Sequence, residues 1–185
     1  MGEKLQPDSN RRRRQRLPPT VSRPTLLKQG KDDDFRQFVD DLVKFAGVLR
    51  HIREGLARRV GVTPPQYTLL MLLARSDTAE IMTNRLAAML DVTAAFVVTE
   101  SNKLASRGFI KRRRNPRDGR SVLISLTAKG RRKLVASAPL IRRVNDILFA
   151  PITGDKMSVI ARATAALLKS SANAVAALDP DDPVR

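Results

Sequence analysis

The stretch from residue 83 to residue 127 constrains the fold of this chain more than any other part of it. Its periodicity predicts a short helix, a tight turn at Asp91-Val92, and a second helix over about residues 93–107. Two short strands are expected next, at about residues 109–113 and 121–126. Helix, turn, helix and hairpin therefore follow one another within 45 residues of sequence.

The loop predicted between the two strands, residues 114–120, is rich in arginine. It contains Asn115-Pro116 and Asp118-Gly119, which are turn dipeptides, so we expect a hairpin with a long, cationic tip. Residues 107–120 carry seven Lys and Arg against one acid. A helix followed by a basic hairpin is the layout of a winged helix-turn-helix, in which the helix enters a major groove and the hairpin contacts the flanking backbone.

The charge of the whole chain agrees with a nucleic-acid partner. There are 35 Lys and Arg against 18 Asp and Glu, a formal net charge of +17. This excess is larger than solubility requires and predicts a polyanionic partner, with double-stranded DNA as the first choice. The alternative is a generally adhesive basic protein of the ribosomal kind.

Enzymatic and membrane functions have little support in the sequence. The chain has no Cys and one His, and it lacks a Gly-rich phosphate loop and clustered metal ligands. We therefore predict no enzyme activity, no catalytic residues, no cofactor and no metal site. No apolar run approaches the roughly 20 residues of a membrane span, and the N-terminus lacks the apolar core of a secretory signal. A cytoplasmic protein with no membrane partner is expected.

The remaining segments flank this central stretch. Residues 1–33 are basic and poor in apolar side chains, so we expect a disordered tail that either follows DNA phosphates or is simply solvated. Residues 34–62 hold a long amphipathic helix, residues 63–127 the DNA-binding domain, and residues 128–178 two further helices. A short tail, residues 179–185, ends the chain.

These flanking helices carry more apolar surface than one small winged domain can cover. We interpret this surface as a subunit interface, with an intramolecular bundle as the alternative. The predicted fold class is mainly α with a small β-hairpin: a winged helix-turn-helix whose N- and C-terminal helices form a dimerisation bundle.

With its elements in this order, the chain resembles the MarR family of bacterial transcriptional regulators over about residues 34–178. The segments that carry the resemblance are Pro64-Pro65-Gln66-Tyr67, Leu86-Ala87-Ala88-Met89-Leu90, Lys103-Leu104, Arg107-Gly108-Phe109-Ile110, Asn115 to Ser121, and Leu126 to Gly130. The resemblance implies a homodimer with interlocking terminal helices, two wings and a pseudo-palindromic operator. It also implies, as a rule, a small anionic or aromatic effector.

The second helix and the hairpin supply the candidate DNA-binding residues. On the helix, Val97 and Leu104 are spaced to face the core, and the candidates are Thr93, Ala95, Phe96, Val98, Thr99, Asn102 and Lys103. On the hairpin they are Arg112, Arg114, Arg117, Asp118 and Arg120. By resemblance, Asp118 orients an arginine, with Arg120 as the candidate, while Arg114 and Arg117 contact phosphates or the minor groove at the tip.

The helix departs from the family at two places. Phe96 stands where relatives often place a polar side chain, and it either faces the groove or packs back onto the domain. Glu100 stands where relatives are often apolar. Apolar contact with thymine methyl groups is still open to Ala95, Phe96 and Thr99, and Asn102 is placed to reach a base or a phosphate.

By resemblance, an effector site would lie between the dimer helices and the DNA-binding lobe. Arg50, His51 and Tyr67 are the candidate lining residues, although a single His on a helix is more often a packing or surface residue. The basic surroundings suit an aromatic carboxylate or an acyl-CoA thioester. The sequence thus predicts a dimeric repressor that a ligand releases from DNA. The alternative is an effector-independent or architectural DNA-binding protein of the same fold.

Overall fold

The computed structural model describes residues 17–76 and 78–178, except for the side chain of Arg120. A 3₁₀ turn at Pro24–Leu26 comes first. The remaining elements are α1 (Asp33–Val60), α2 (Pro64–Arg75), β1 (Ile81–Met82), α3 (Thr83–Leu90), α4 (Ala94–Ser106), β2 (Ile110–Asn115), β3 (Asp118–Leu126), α5 (Ala128–Leu148) and α6 (Gly154–Ala176). These residues divide into two compact units at Gly55 and Leu56. The predicted tail segments 1–16 and 179–185 lie outside the described residues.

Residues 17–32 of the first unit lie in the segment that was predicted to be disordered. Residues 17–32 are ordered and end on the start of α1, where one carboxylate holds them. The backbone N–H and the hydroxyl of Thr20 donate to Asp32 Oδ2 at 2.6 and 2.8 Å, and Arg36 Nε donates to the same oxygen at 2.9 Å. A second Arg36 nitrogen donates to Pro18 O at 2.8 Å. Burying a carboxylate is costly unless it is paired, and here three donors, one of them cationic, pair it.

The long helix α1 carries an apolar face whose side chains are exposed in the described part of the chain. The long helix predicted within residues 34–62 spans Asp33–Val60. Only Leu56, Ala57 and Val60 of this helix are buried. The exposed large apolar residues of α1 are Phe38, Val39, Leu42, Val43, Phe45 and Val48.

The second unit contains the main core. Its first complete helix is α2. Pro64 lies in the first turn of α2, where a missing N–H breaks no hydrogen bond within the helix. Gln66 Oε1 accepts the backbone N–H of Thr63 at 3.3 Å. The buried side chains of this core come from α2, α3, α4, the sheet and α5. They include Leu69, Leu70, Leu86, Val97, Leu104, Ile124 and Leu134.

The strands form one antiparallel sheet in the order β1-β3-β2. Ile81 lies opposite Ile124, and both are buried. The two-residue strand β1 therefore pairs with the hairpin through β3. Thr83 Oγ1 donates to Val122 O at 3.2 Å, which fixes the start of α3 against the hairpin.

The tip of the hairpin is shorter than predicted. The strands extend to Asn115 and begin again at Asp118, so only Pro116 and Arg117 form the turn and the expected long loop over residues 114–120 is wrong. The cause is the Asn115 side chain, whose Oδ1 accepts the Arg117 N–H at 3.0 Å and whose Nδ2 donates to Ser121 Oγ at 2.9 Å. Such a local bond closes a turn.

The last two helices differ in burial. Thr127 caps α5, because its hydroxyl oxygen accepts the Gly130 N–H at 3.0 Å. A Cβ on Gly130 would lie 2.1 Å from Phe109 O, so this helix packs against the hairpin's backbone. In contrast, α6 buries none of its 23 residues, and Leu167 and Leu168 are exposed in the isolated chain.

In the ranges that the structure covers, no helix combines the length and apolarity that a membrane crossing needs.

The carboxylate that holds residues 17–32 generates a pH prediction. The Thr20 backbone N–H, the Thr20 hydroxyl and Arg36 hold the pKa of Asp32 well below its ordinary value of 3.8. Because the folded pKa is depressed, the stabilisation is complete above pH 3.8 and is lost as the pH falls towards the folded value. We expect hydrogen exchange at the Thr20 amide to be protected at neutral pH and to lose that protection only in strong acid.

The Asp32→Asn variant should lose that protection at every pH. Asp34→Asn is the matched control, because Asp34 forms an exposed pair with Lys28, which contributes little. Equal exchange at Thr20 in the two variants would show that Asp32 does not anchor the segment.

Candidate nucleic-acid interface

The turn between α3 and α4 fixes where the second helix begins. Asp91 adopts a left-handed conformation with φ of 54°, and Val92 N–H donates to Ala87 O at 3.1 Å. Thr93 Oγ1 then accepts the Phe96 N–H at 3.2 Å. Thr93 is therefore the N-cap of α4.

One face of α4 is completely buried. Val97, Ser101 and Leu104 have no exposed surface. Since these residues are spaced by three and four, they set the rotation of the helix about its axis. The predicted inward positions of Val97 and Leu104 are confirmed, and the opposite face must point away from the core.

The outward face holds most of the helix candidates. Those that are exposed are Ala95, Phe96, Thr99, Asn102 and Lys103, while Val98 is half-buried. Phe96 is 38% exposed, so its ring is not packed into the core. The Thr99 hydroxyl donates to Ala95 O at 3.1 Å, which leaves its methyl group as the outward part. This surface therefore offers methyl groups, one aromatic ring and one amide for contact with base edges.

The hairpin arginines differ in their surroundings. Arg114 and Arg117 are exposed, one at the end of β2 and one in the turn. Arg112 is half-buried, and its Nε has no hydrogen-bond partner among the described residues. An unsatisfied buried donor costs about 1–3 kcal/mol. An acceptor brought by a bound molecule would remove that cost.

The predicted pairing at Asp118 stays a prediction. Asp118 is exposed at the start of β3, but the side chain of Arg120 lies outside the described part of the chain.

Two glutamates, Glu100 and Glu80, form ion pairs with cations of α4 and the hairpin. The sequence analysis did not predict these pairs. Glu100 is 7% exposed and accepts from Gln66 Nε2 at 2.9 Å and from Lys103 Nζ at 2.6 Å. Glu80, just before β1, accepts two hydrogen bonds from Arg113, of which the Nε bond measures 2.8 Å. Gln66 and Glu100 lie 34 residues apart in the sequence, and Glu80 and Arg113 lie 33 residues apart. No local sequence signal therefore reveals these contacts.

Arg107, the first cation of the basic segment 107–120, has a structural role. A terminal nitrogen of Arg107 donates to Gly61 O at 2.7 Å, and the guanidinium lies 4.9 Å from the Phe109 ring centroid. Lys129 covers the same ring at 5.4 Å and donates to Arg107 O at 2.8 Å. These contacts join the end of α4 to the starts of α2 and α5.

The effector candidates have unlike environments. Arg50 and His51 are exposed on α1 in the first unit. Tyr67 is 3% exposed in the core of the second unit. Within the two described ranges, no group of three or more His, Cys, Asp or Glu is arranged to hold a metal ion.

Comparison with known proteins gives consistent matches. A sequence model of the MarR family matches residues 62–122. The chain is 36% identical over 105 residues to an uncharacterised HTH-type transcriptional regulator of Bacillus subtilis (strain 168), YdcH, and the match covers 55% of this chain and 69% of YdcH.

Solved structures share the fold. AbsC, a MarR family transcriptional regulator from Streptomyces coelicolor, has a TM-score of 0.68 at 15% identity, with 76% of this chain and 96% of AbsC covered. A mutant MarR from E. coli complexed with operator DNA has a TM-score of 0.57 at 21% identity, covering 70% and 95%. At these identities the likeness establishes the architecture alone.

Arg117 provides a direct test of the hairpin. We expect Arg117→Ala to weaken DNA binding by about 1–3 kcal/mol and to reduce the salt slope by about 0.9 if one phosphate contact is lost. Titration of a duplex at several salt concentrations measures both quantities. Arg132→Ala, which removes the same charge from the exposed surface of α5, is the control. Unchanged affinity at physiological salt would remove Arg117 from the site.

Proposed function

Because the chain belongs to the MarR family of DNA-binding transcriptional regulators, which are not enzymes, we propose that it is a homodimeric repressor. In this proposal it binds a pseudo-palindromic operator and leaves it when a small anionic or aromatic effector binds. The observation that carries the proposal is the outward face of α4 beside an arginine-bearing hairpin in one compact unit.

The chemistry of that face supports major-groove contact. A helix fits the groove, where methyl–methyl contact reads thymine and an amide such as that of Asn102 reads adenine. Arg114 and Arg117 on the hairpin suit the flanking phosphates, which fix position and not sequence. The residues proposed to contact DNA are Thr93, Ala95, Phe96, Val98, Thr99, Asn102, Arg112, Arg114 and Arg117. Lys103 lies on the same face of α4, but its ammonium is paired with Glu100.

The uncovered apolar helices support a homodimer. On α6, Ile160, Leu167 and Val175 recur at helical spacing and are exposed in the isolated chain, as are Phe38 and Leu42 on α1. Contiguous apolar surface of this kind marks an interface. A second copy of the chain is the economical partner, because it presents the same faces. The alternative of an intramolecular bundle leaves the exposure of α6 unexplained.

An open cleft beside the hairpin supports an anionic effector. It has a volume of about 540 Å³, and its lining includes Arg85, Arg117, Met82, Leu123 and the Glu80–Arg113 ion pair. The guanidinium groups of Arg85 and Arg117, together with the apolar side chains of Met82 and Leu123, suit a carboxylate attached to a flat apolar body, such as an aromatic acid. A ligand that touches Arg117 would compete with DNA for it. The residues Arg50, His51 and Tyr67 remain the other proposed lining.

We expect an aromatic acid such as 2-naphthoate to raise the melting temperature of the free protein, since a ligand of the folded state stabilises it. If the cleft is the site, Arg85→Gln abolishes the shift and His51→Gln does not. The reverse result assigns the effector to α1. No shift with any aromatic acid or acyl-CoA thioester would favour the effector-independent alternative.

Sedimentation equilibrium tests the dimer. Leu167→Asp places a charge in the centre of the apolar face of α6 and should convert the dimer to a monomer. Ala165→Asp, on the other side of the same helix, should leave the dimer intact. A wild-type protein that is monomeric at micromolar concentration would contradict the proposal.

Footprinting on the DNA that surrounds the protein's own coding region tests the operator. We expect a protected inverted repeat whose half-sites lie about one helical turn, or a multiple of it, apart. Protection that ignores sequence would instead indicate an architectural protein.

A further inference from the structure

Two acids within the DNA-binding module are placed against its cations. Glu100 is buried and Glu80 is partly buried: the Glu100 side chain is 9% exposed and the Glu80 side chain 20%. Their partners are much more accessible, with 58% of the Lys103 side chain and 49% of the Arg113 side chain exposed. The acid is thus the less exposed partner in each pair.

Both oxygens of the Glu100 carboxylate are in use. Oε2 accepts from Gln66 Nε2 at 2.9 Å, and Oε1 accepts from Lys103 Nζ at 2.6 Å. The orientation of the Gln66 amide is set in turn, because its own oxygen accepts the Thr63 N–H at 3.3 Å. Glu100 therefore has one settled position, and the ammonium of Lys103 has a charged acceptor at close range.

Glu80 meets Arg113 in a two-bond arrangement. Arg113 Nε donates to one carboxylate oxygen at 2.8 Å, and a terminal nitrogen donates to the other. This fork geometry is the strong form of a guanidinium–carboxylate pair. The hydrogen bond from Arg113 lowers the pKa of Glu80, and the hydrogen bond from Lys103 lowers the pKa of Glu100, so both acids are ionised at neutral pH.

We propose that Glu80 and Glu100 are specificity-determining residues that hold Arg113 and Lys103 in closed ion pairs and thereby limit sequence-independent attraction to DNA. This inference rests on the proposed function in one respect, namely that the α4 face and the hairpin meet the duplex. It assigns the two acids a role in discrimination that does not require them to touch a base.

The physical reason lies in what sets specificity. Sequence-independent affinity grows with the number of phosphates that cations neutralise, by about 0.9 in the salt slope for each one. Specificity is the ratio of operator affinity to this background. The outward face of α4 offers few hydrogen bonds to bases, and the chain carries a net charge of +17, so a high background would obscure a modest base preference.

The competing interpretation is purely structural. In that case the Gln66–Glu100 bond joins α2 to α4 and the Glu80–Arg113 pair braces the hairpin, and neither affects phosphate binding. The two interpretations predict different salt dependence, because only the first releases a cation when the acid is neutralised.

The test uses Glu100→Gln and Glu80→Gln in the full chain. Each variant keeps the shape of the side chain, and the amide introduced by Glu100→Gln retains an oxygen that can accept from Gln66. Asp40→Asn is the charge-matched control, since Asp40 is exposed on the polar side of α1. Binding to a non-operator duplex is measured across a salt series, and elution from a heparin column is measured in parallel.

We expect each glutamate variant to steepen the salt slope by about 0.9, the double variant to steepen it by about 1.8, and all three to elute from heparin at higher salt. In a Lys103→Gln background, Glu100→Gln should have no further effect on the slope. Operator affinity should rise less than non-operator affinity. Asp40→Asn should match the wild type in slope.

Slopes and elution equal to those of Asp40→Asn would overturn the inference. A persisting effect of Glu100→Gln in the Lys103→Gln background would overturn it for that pair. If Glu100→Gln fails to fold, Glu80→Gln on the hairpin side still decides the question. Because heparin is a polyanion without base sequence, its result stands even if no operator is found, which separates failure of this inference from failure of the proposed function.

Discussion

The burial of one face of α4 is the constraint on which the proposed DNA-binding surface depends. Val97, Ser101 and Leu104 are completely enclosed, so the helix has no freedom to rotate about its axis. The residues it presents outward are therefore determined by the core and not by the ligand. The same core positions the hairpin, because Gly130 approaches Phe109 O so closely that a Cβ there would lie 2.1 Å from it. The helix and the hairpin consequently keep a fixed separation, as the proposed contacts of the helix with a groove and of the hairpin arginines with the DNA backbone require.

Much of this architecture could be predicted because its causes are local. Spacing of apolar residues at three and four predicts the helices, and Thr93, Thr127 and the Pro64 turn predict where three of them begin. The tip of the hairpin was mispredicted, since the Asn115 side chain closes the turn earlier than the Asp118-Gly119 dipeptide suggests. The sequence offers two turn dipeptides, Asn115-Pro116 and Asp118-Gly119, and composition alone does not show which of them forms the turn.

The remaining differences come from contacts between distant residues. Residues 17–32 looked too polar to fold, but a single carboxylate at Asp32 anchors them to α1. Glu100 appeared anomalous on the helix, and its partner Gln66 lies 34 residues earlier. Counting charges likewise overstated the free cations, because several have an intramolecular acceptor, namely Arg107, Arg113 and Lys103. Such pairs become visible only when the fold brings the elements together.

The central claim is that the outward face of α4 is the surface that meets DNA. The chain has no Cys, so Thr99→Cys introduces a single thiol on that face, and Asp40→Cys introduces one on the polar side of α1. The decisive measurement is the rate of thiol alkylation in the presence and absence of saturating duplex. The account predicts that DNA slows alkylation at residue 99 and leaves residue 40 unchanged. Equal rates at residue 99 with and without bound DNA would contradict it.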